Sequence, residues 1–66
     1  MSFGDQIKKA RNKKGITQEG LAVLLDVSRQ TISEWERGES FPKFEKLAML
    51  PQILGESIEI LMSEEK

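Results

Sequence analysis

Residues 17–38 read TQEGLAVLLDVSRQTISEWERG, and the polar caps in this stretch divide it into two short helices joined by a tight turn. Thr17 is a good N-cap for the first helix, and Glu19 places a carboxylate in the first turn, where it suits the helix dipole. Leu21, Ala22 and Leu25 then share one inward face, and small Ala22 lets a neighbouring helix come close. Ser28 caps the second helix, which runs to Arg37 and stops at Gly38. Along it Ile32 and Trp35 form one narrow apolar stripe, while Arg29, Gln30, Ser33, Glu34 and Arg37 face water. Such a helix is either an ordinary surface helix or one whose outer face reads a partner. The flanking sequence decides which.

Upstream, Ser2 with Asp5 three residues on makes a capping arrangement, and Phe3, Ile7 and Ala10 fall on one face until Gly15. The spacing predicts a helix over 3–14, with Lys8, Lys9, Lys13 and Lys14 on its solvated side and end. Downstream, Gly38, Ser40 and Pro42 mark a loop, after which Phe44, Leu47, Ala48, Leu50, Ile53 and Leu54 form a helical pattern expected to be the core's other wall. Pro51 lies inside that pattern at a cost of about 3 kcal/mol unless the helix bends, so a kink or break is expected there. Gly55 ends the segment, Ser57 caps a last helix with apolar Ile58, Leu61 and Met62, and the tail at 63–66 should fray. The pattern is all-α, five helices in one domain over 1–62, without strands or repeats. Two features of the second helix fit it poorly: Gly20 costs about 1 kcal/mol relative to Ala, and Val23 and Leu24 leave a greasy outer side.

A chain of 66 residues sits near the lower limit for a core that folds without disulfides or metal. Cysteine and histidine are both absent, which removes the disulfide staple, the usual nucleophiles and general bases, and the common zinc ligands. No enzymatic activity, cofactor, metal or small-molecule ligand is expected. No window nears a membrane span and no signal segment precedes the first helix, so the expected location is cytoplasmic, away from any membrane. The net charge of −1 conceals an asymmetry, because residues 1–37 carry a surplus of two basic side chains and residues 38–66 a surplus of three acidic ones. Screening over about 8 Å at physiological salt means that distant acids hardly cancel a basic face.

The series RNKKGITQEGLAVLLDVSRQTISEWERG, followed by FPKFEKLAML, resembles the phage-repressor (Cro and cI, XRE-type) helix-turn-helix family over nearly the whole chain. The resemblance is carried by Arg11, Gly15, Thr17, Gln18, Leu21, Ala22, Val27, Ser28, Arg29, Ile32, Ser33, Trp35, Glu36, Arg37, Gly38 and Pro42. It implies a five-helix domain that binds double-stranded DNA as a homodimer, with the helix at 28–37 in the major groove. It further implies that Gln18 and Arg37 bind phosphate, that Arg29, Gln30, Ser33 and Glu34 face base edges, and that Arg11 pairs with Glu36. Side-chain chemistry agrees: Arg offers a fork to guanine, Gln matches adenine, and Ser serves either. Lys43 is a further phosphate candidate, and Thr31 has two readings, completing the cap or contacting phosphate. Trp35, which in principle stacks on a base, is read as core.

Three positions depart from the family pattern. Asp26 stands in place of the usual turn glycine, and Asp tolerates the left-handed conformation better than most residues. Pro51 replaces an alanine. Glu34 replaces a polar or basic residue, and a carboxylate near phosphates repels unless it accepts from cytosine N4, so its expected part is to reject wrong sequences. The resemblance implies a transcriptional regulator, most simply a repressor that occludes polymerase. The alternative is a protein-interaction module on the same fold, antitoxin-like or anti-repressor, that uses Val23, Leu24 and the last helix. Leu61 or Met62 is the expected dimer contact, the alternative being that both cap the core of the monomer.

Overall fold

The computed structural model describes residues 1–63, and all the regular structure among them is helical. The helices are α1 (Phe3–Lys14), α2 (Gln18–Leu25), α3 (Arg29–Arg37), α4 (Phe44–Leu47), α5 (Leu50–Leu54) and α6 (Ile58–Leu61). Helices α4 and α5 are two halves of the fourth of five helical segments. The tail at 64–66 lies outside the described residues.

Local chemistry sets the ends of the first three helices. Ser2 Oγ accepts from the Asp5 amide and the Asp5 carboxylate accepts from the Ser2 amide, both at 3.2 Å, which closes a capping box on α1. Thr17 and Ser28 cap α2 and α3 by accepting from the amides of Gly20 and Thr31. Between α2 and α3 the chain reverses at Asp26, which adopts φ 58° and ψ 48°, the left-handed region. That conformation costs an L-residue about 1–2 kcal/mol and a glycine nothing. Asp26 also sets a carboxylate at the negative end of the α2 dipole; Lys46 offsets this from α4 by donating Nζ to the Leu25 carbonyl at 2.9 Å.

Ile7, Leu21, Leu25, Ile32, Leu50 and Leu61 are fully buried and make one core with Ala10, Ala22, Trp35 and Leu54. Helix α3 packs chiefly against α1 and α2. The closest approach is at Gly4, where a Cβ would stand 2.5 Å from the backbone carbonyl oxygens of both Trp35 and Glu36. Only hydrogen fits there, so the start of α1 lies directly on the last turns of α3. Beside this contact the rings of Phe3 and Phe41 meet with centroids 4.5 Å apart.

The second half of the chain departs from its sequence pattern in three ways. The break in the fourth segment falls at Ala48 and Met49, ahead of Pro51, which lies in the first turn of α5. A first-turn proline has no intrahelical hydrogen bond to lose, so the expected interior penalty does not arise. Phe44, expected in the core wall, is 82% exposed, and Ala48 also faces solvent. Within α4 it is Leu47 that packs against the core, so the face shared by Phe44 and Ala48, four residues apart, looks outward. On α6 only Leu61 is buried, while Ile58, Ile60 and Met62 are partly exposed. Leu61 is therefore a core residue and unavailable as the dimer contact; of the two candidates only Met62 reaches the surface.

No helix among the described residues is long and apolar enough to cross a membrane. The close approach at Gly4 yields a prediction: Gly4→Ala should destabilise the fold by at least about 2 kcal/mol, since neither opposing atom belongs to a side chain that can turn away. Urea melting measures this, and an unchanged midpoint would mean that α1 and α3 are further apart.

Candidate nucleic-acid interface

Two side chains, Ile32 and Trp35, anchor α3 in the core, at 0% and 3% exposure. On a helix this anchoring leaves positions 29, 30, 33, 34 and 37 along the opposite side, spaced by three and four residues so that they share a face. The sequence therefore decides the composition of this face, and the packing of α1 and α2 decides that it looks outward.

Along this face the side chains hold one another. Gln30 Nε2 donates to the Glu34 carboxylate at 3.3 Å, one turn away. Arg37 Nε donates to the carbonyl and hydroxyl oxygens of Ser33 at 3.2 and 3.1 Å, and its terminal nitrogen pairs with Glu39 at 2.9 Å. Both members of this ion pair are about half exposed, at 50% and 54%. Such pairs are worth at most about 1 kcal/mol, so a phosphate can displace Glu39 at little cost. Arg29 is exposed in the first turn and contacts Gln18 Oε1 at 3.4 Å.

Thr31 Oγ1 and Ser28 Oγ share a hydrogen bond of 2.9 Å, so the threonine takes part in the cap. Thr31 and Lys43 line the same shallow groove, together with Trp35 and Phe41. Lys43 is exposed at the start of α4, its ammonium unpaired among the described residues.

Behind the face stands an ion pair. Arg11 Nε and one terminal nitrogen reach the two Glu36 carboxylate oxygens at 2.7 and 3.1 Å, a two-pronged contact, and the other terminal nitrogen donates to the Ile16 carbonyl at 2.8 Å. The two side chains are 9% and 4% exposed. The pair joins α1 to α3 and to the loop before α2. Gln18 Nε2 donates to the same carboxylate at 3.0 Å. Thus Gln18, expected on phosphate, is held at the junction of α2 and α3, half buried, with the first-turn amides of α2 beside it lacking intrahelical acceptors. Sequence reasoning overlooked the Gln18 contacts and the Arg37–Glu39 pair. Nothing in a spacing of 18 residues between Gln18 and Glu36 signals contact, whereas an acid two residues beyond Arg37 was a legible hint.

Among the described residues no acidic cluster suited to a metal ion occurs. The arrangement is a polar, hydrogen-bonding helix face flanked by cations and by helix N-termini, which suits a polyanion whose edges carry donors and acceptors.

Comparison with known proteins gives the class. A helix-turn-helix family model matches residues 7–61, and the chain belongs to that family, in its phage-repressor (XRE) branch. A sequence relative is the HTH-type transcriptional activator BcrR of Enterococcus faecalis, 38% identical over 66 residues, which are all of this chain and 32% of that protein. Among solved structures, the P22 c2 repressor in complex with a synthetic operator superposes with a TM-score of 0.90 at 34% identity, covering 98% of each chain. The hydroxypropylphosphonic acid epoxidase of S. wedmorenis also matches, with a TM-score of 0.83 at 29% identity over 92% of this chain, but only 32% of the enzyme is covered. The chain spans about a third of BcrR and 56% of the regulator YonR of Bacillus subtilis.

The ion pair carries its own prediction. Removing either Arg11 or Glu36 leaves a buried charge without its partner and should cost about 3–5 kcal/mol, whereas removing both should cost less than the two losses together. A double-mutant cycle followed by denaturant melting checks this, and zero coupling energy would dismiss the pair as a stabilising contact.

Proposed function

We propose that the domain binds a specific, two-fold-symmetric double-stranded DNA operator as a homodimer and regulates transcription from it. The observation that carries this reading is the α3 face, anchored by two core side chains and otherwise polar, on a fold that overlays nearly end to end a repressor crystallised with a synthetic operator. In the proposed complex α3 enters the major groove. Arg29 and Gln30, in its first turn, meet base edges, and Ser33 and Glu34 complete the readout one turn later. Arg37 exchanges Glu39 for a phosphate, and Gln18, Lys43 and Thr31 fix register on the backbone. Glu34 holds Gln30 and rejects sites that offer it no cytosine amino group. Occupation of an operator overlapping a promoter is enough for repression, the simplest regulatory outcome. Cytoplasmic location follows from this reading.

The dimer is supported by size. The domain is 30 Å along its longest axis, while two half-sites lie about 34 Å apart, so one copy covers one half-site. Ile58 and Ile60 on α6 and Met62 just after it are the apolar side chains offered for the contact. A protein-interaction module on the same fold is favoured by one feature, the exposure of Val23 and Leu24 on α2 at 69% and 53%. A salt-dependent mobility shift with duplex DNA separates the two readings.

Selection from a random duplex pool supplies the operator, on which Arg29→Ala should cost about 1–3 kcal/mol and relax preference at one base pair per half-site. Arg37→Ala should weaken all sequences alike and flatten the salt dependence by about one counterion. Equal losses for Arg29→Ala on cognate and random duplex would reduce Arg29 to a backbone contact. Sedimentation of the saturated complex should show two protomers per operator, and a single protomer with hyperbolic binding would remove the dimer.

A further inference from the structure

The base-reading face and the buried ion pair are joined by one continuous chain of hydrogen bonds: Arg11 to Glu36, Gln18 to Glu36, and Arg29 to Gln18. From it we propose that Glu36, a side chain 4% exposed and out of reach of any groove, is a positioning residue for base recognition, because it sets the orientation of the Gln18 amide and through it the aim of Arg29. The inference rests on the proposed reading of Arg29 as a base contact.

Donors and acceptors decide the orientation of the amide. A Gln side chain ends in an acceptor oxygen and a donor NH2, and rotation by half a turn exchanges them. Here Nε2 lies 3.0 Å from a Glu36 oxygen, and Oε1 lies 3.4 Å from an Arg29 terminal nitrogen. In the reversed orientation the amide oxygen would face a carboxylate and the NH2 would face a guanidinium, both repulsive. The carboxylate therefore decides which end of the amide meets Arg29. Glu36 itself is fixed by two Arg11 contacts, so its oxygens have no freedom to follow the amide. The Gln18 to Arg29 contact is long and exposed, hence weak alone, and restrains the arginine only while the Gln18 end is held. An arginine with a preset direction loses less freedom on meeting a guanine edge than one that is free.

The consequence is that a substitution in the core should alter preference at the base pair read by Arg29 and at no other. A suitable variant is the double change Arg11→Met with Glu36→Leu, since replacing a whole buried ion pair by apolar side chains of similar volume leaves no stranded charge. The measurement is the affinity ratio between the selected operator and an operator altered only at the Arg29 base pair, with circular dichroism melting in parallel. That ratio should fall by about 3- to 10-fold, a size usual for substitutions along a coupled network, while the ratio at the Gln30 base pair stays constant. Gln18→Met, which keeps the ion pair and so the fold, should lower the same ratio by the same factor, on top of a sequence-independent loss from its backbone contact. An unchanged ratio in the folded double variant overturns the proposal; should that variant not fold, an unchanged ratio in Gln18→Met overturns it. Arg29→Ala in the same assay tests the underlying reading separately: if it leaves the ratio untouched, Arg29 is no base contact and the failure lies there.

Discussion

The contact between the last turns of α3 and the start of α1 is the constraint on which the rest depends. Gly4 admits the α3 backbone, and two turns along α1 Arg11 holds Glu36 by its carboxylate. Together they fix both the distance and the rotation of α3 about its own axis. Rotation matters most, because a helix with a two-residue apolar stripe has little else to orient it. A modest turn about the axis would bury Ser33 or Glu34 and point Ile32 at water. The apolar burial of Ile32 and Trp35 supplies attraction, worth about 1.5–3 kcal/mol for a large side chain, but it is not directional. The ion pair and the glycine contact supply the direction.

A domain of this size has little stability to spare, so the same elements serve folding and recognition. Thr17 and Ser28 cap helices and leave the neighbouring first-turn amides facing outward. Lys46 adds a donor to the Leu25 carbonyl at the end of α2, where the amides of Asp26 and Val27 already cap the carbonyls of Val23 and Ala22. Gln18 belongs at once to the α2 start, to the ion pair and to the surroundings of Arg29.

Asp26 as the turn residue came from the family resemblance, whereas repeat distances of helix faces and the rules of capping made α1, α2 and α3 legible, because those features depend on side chains three or four positions apart. The polar identity of the α3 face was legible for the same reason. The Arg11–Glu36 pairing came from family resemblance, not from the spacing of the two residues. A break in the fourth segment is legible from Pro51, but its place is not: the helix ends before the proline and restarts around it, a choice between two local solutions that depends on where Leu50 and Leu54 meet the core. Gly4 was passed over, since a glycine in a first turn has no local signature for close packing.

By itself the sequence determined the all-α class, the ends of the first three helices, the lack of the side chains that most catalysis and zinc binding require, and the set of polar groups carried by α3. Those properties arise from contacts within a turn or from composition. Tertiary structure alone decided that Gly4 receives the α3 backbone, that Phe44 faces solvent while Leu61 is enclosed, and that Gln18 stands between a buried carboxylate and an exposed guanidinium. These depend on groups brought together from distant parts of the chain, whose meeting is set by how the helices pack and leaves no trace in local spacing.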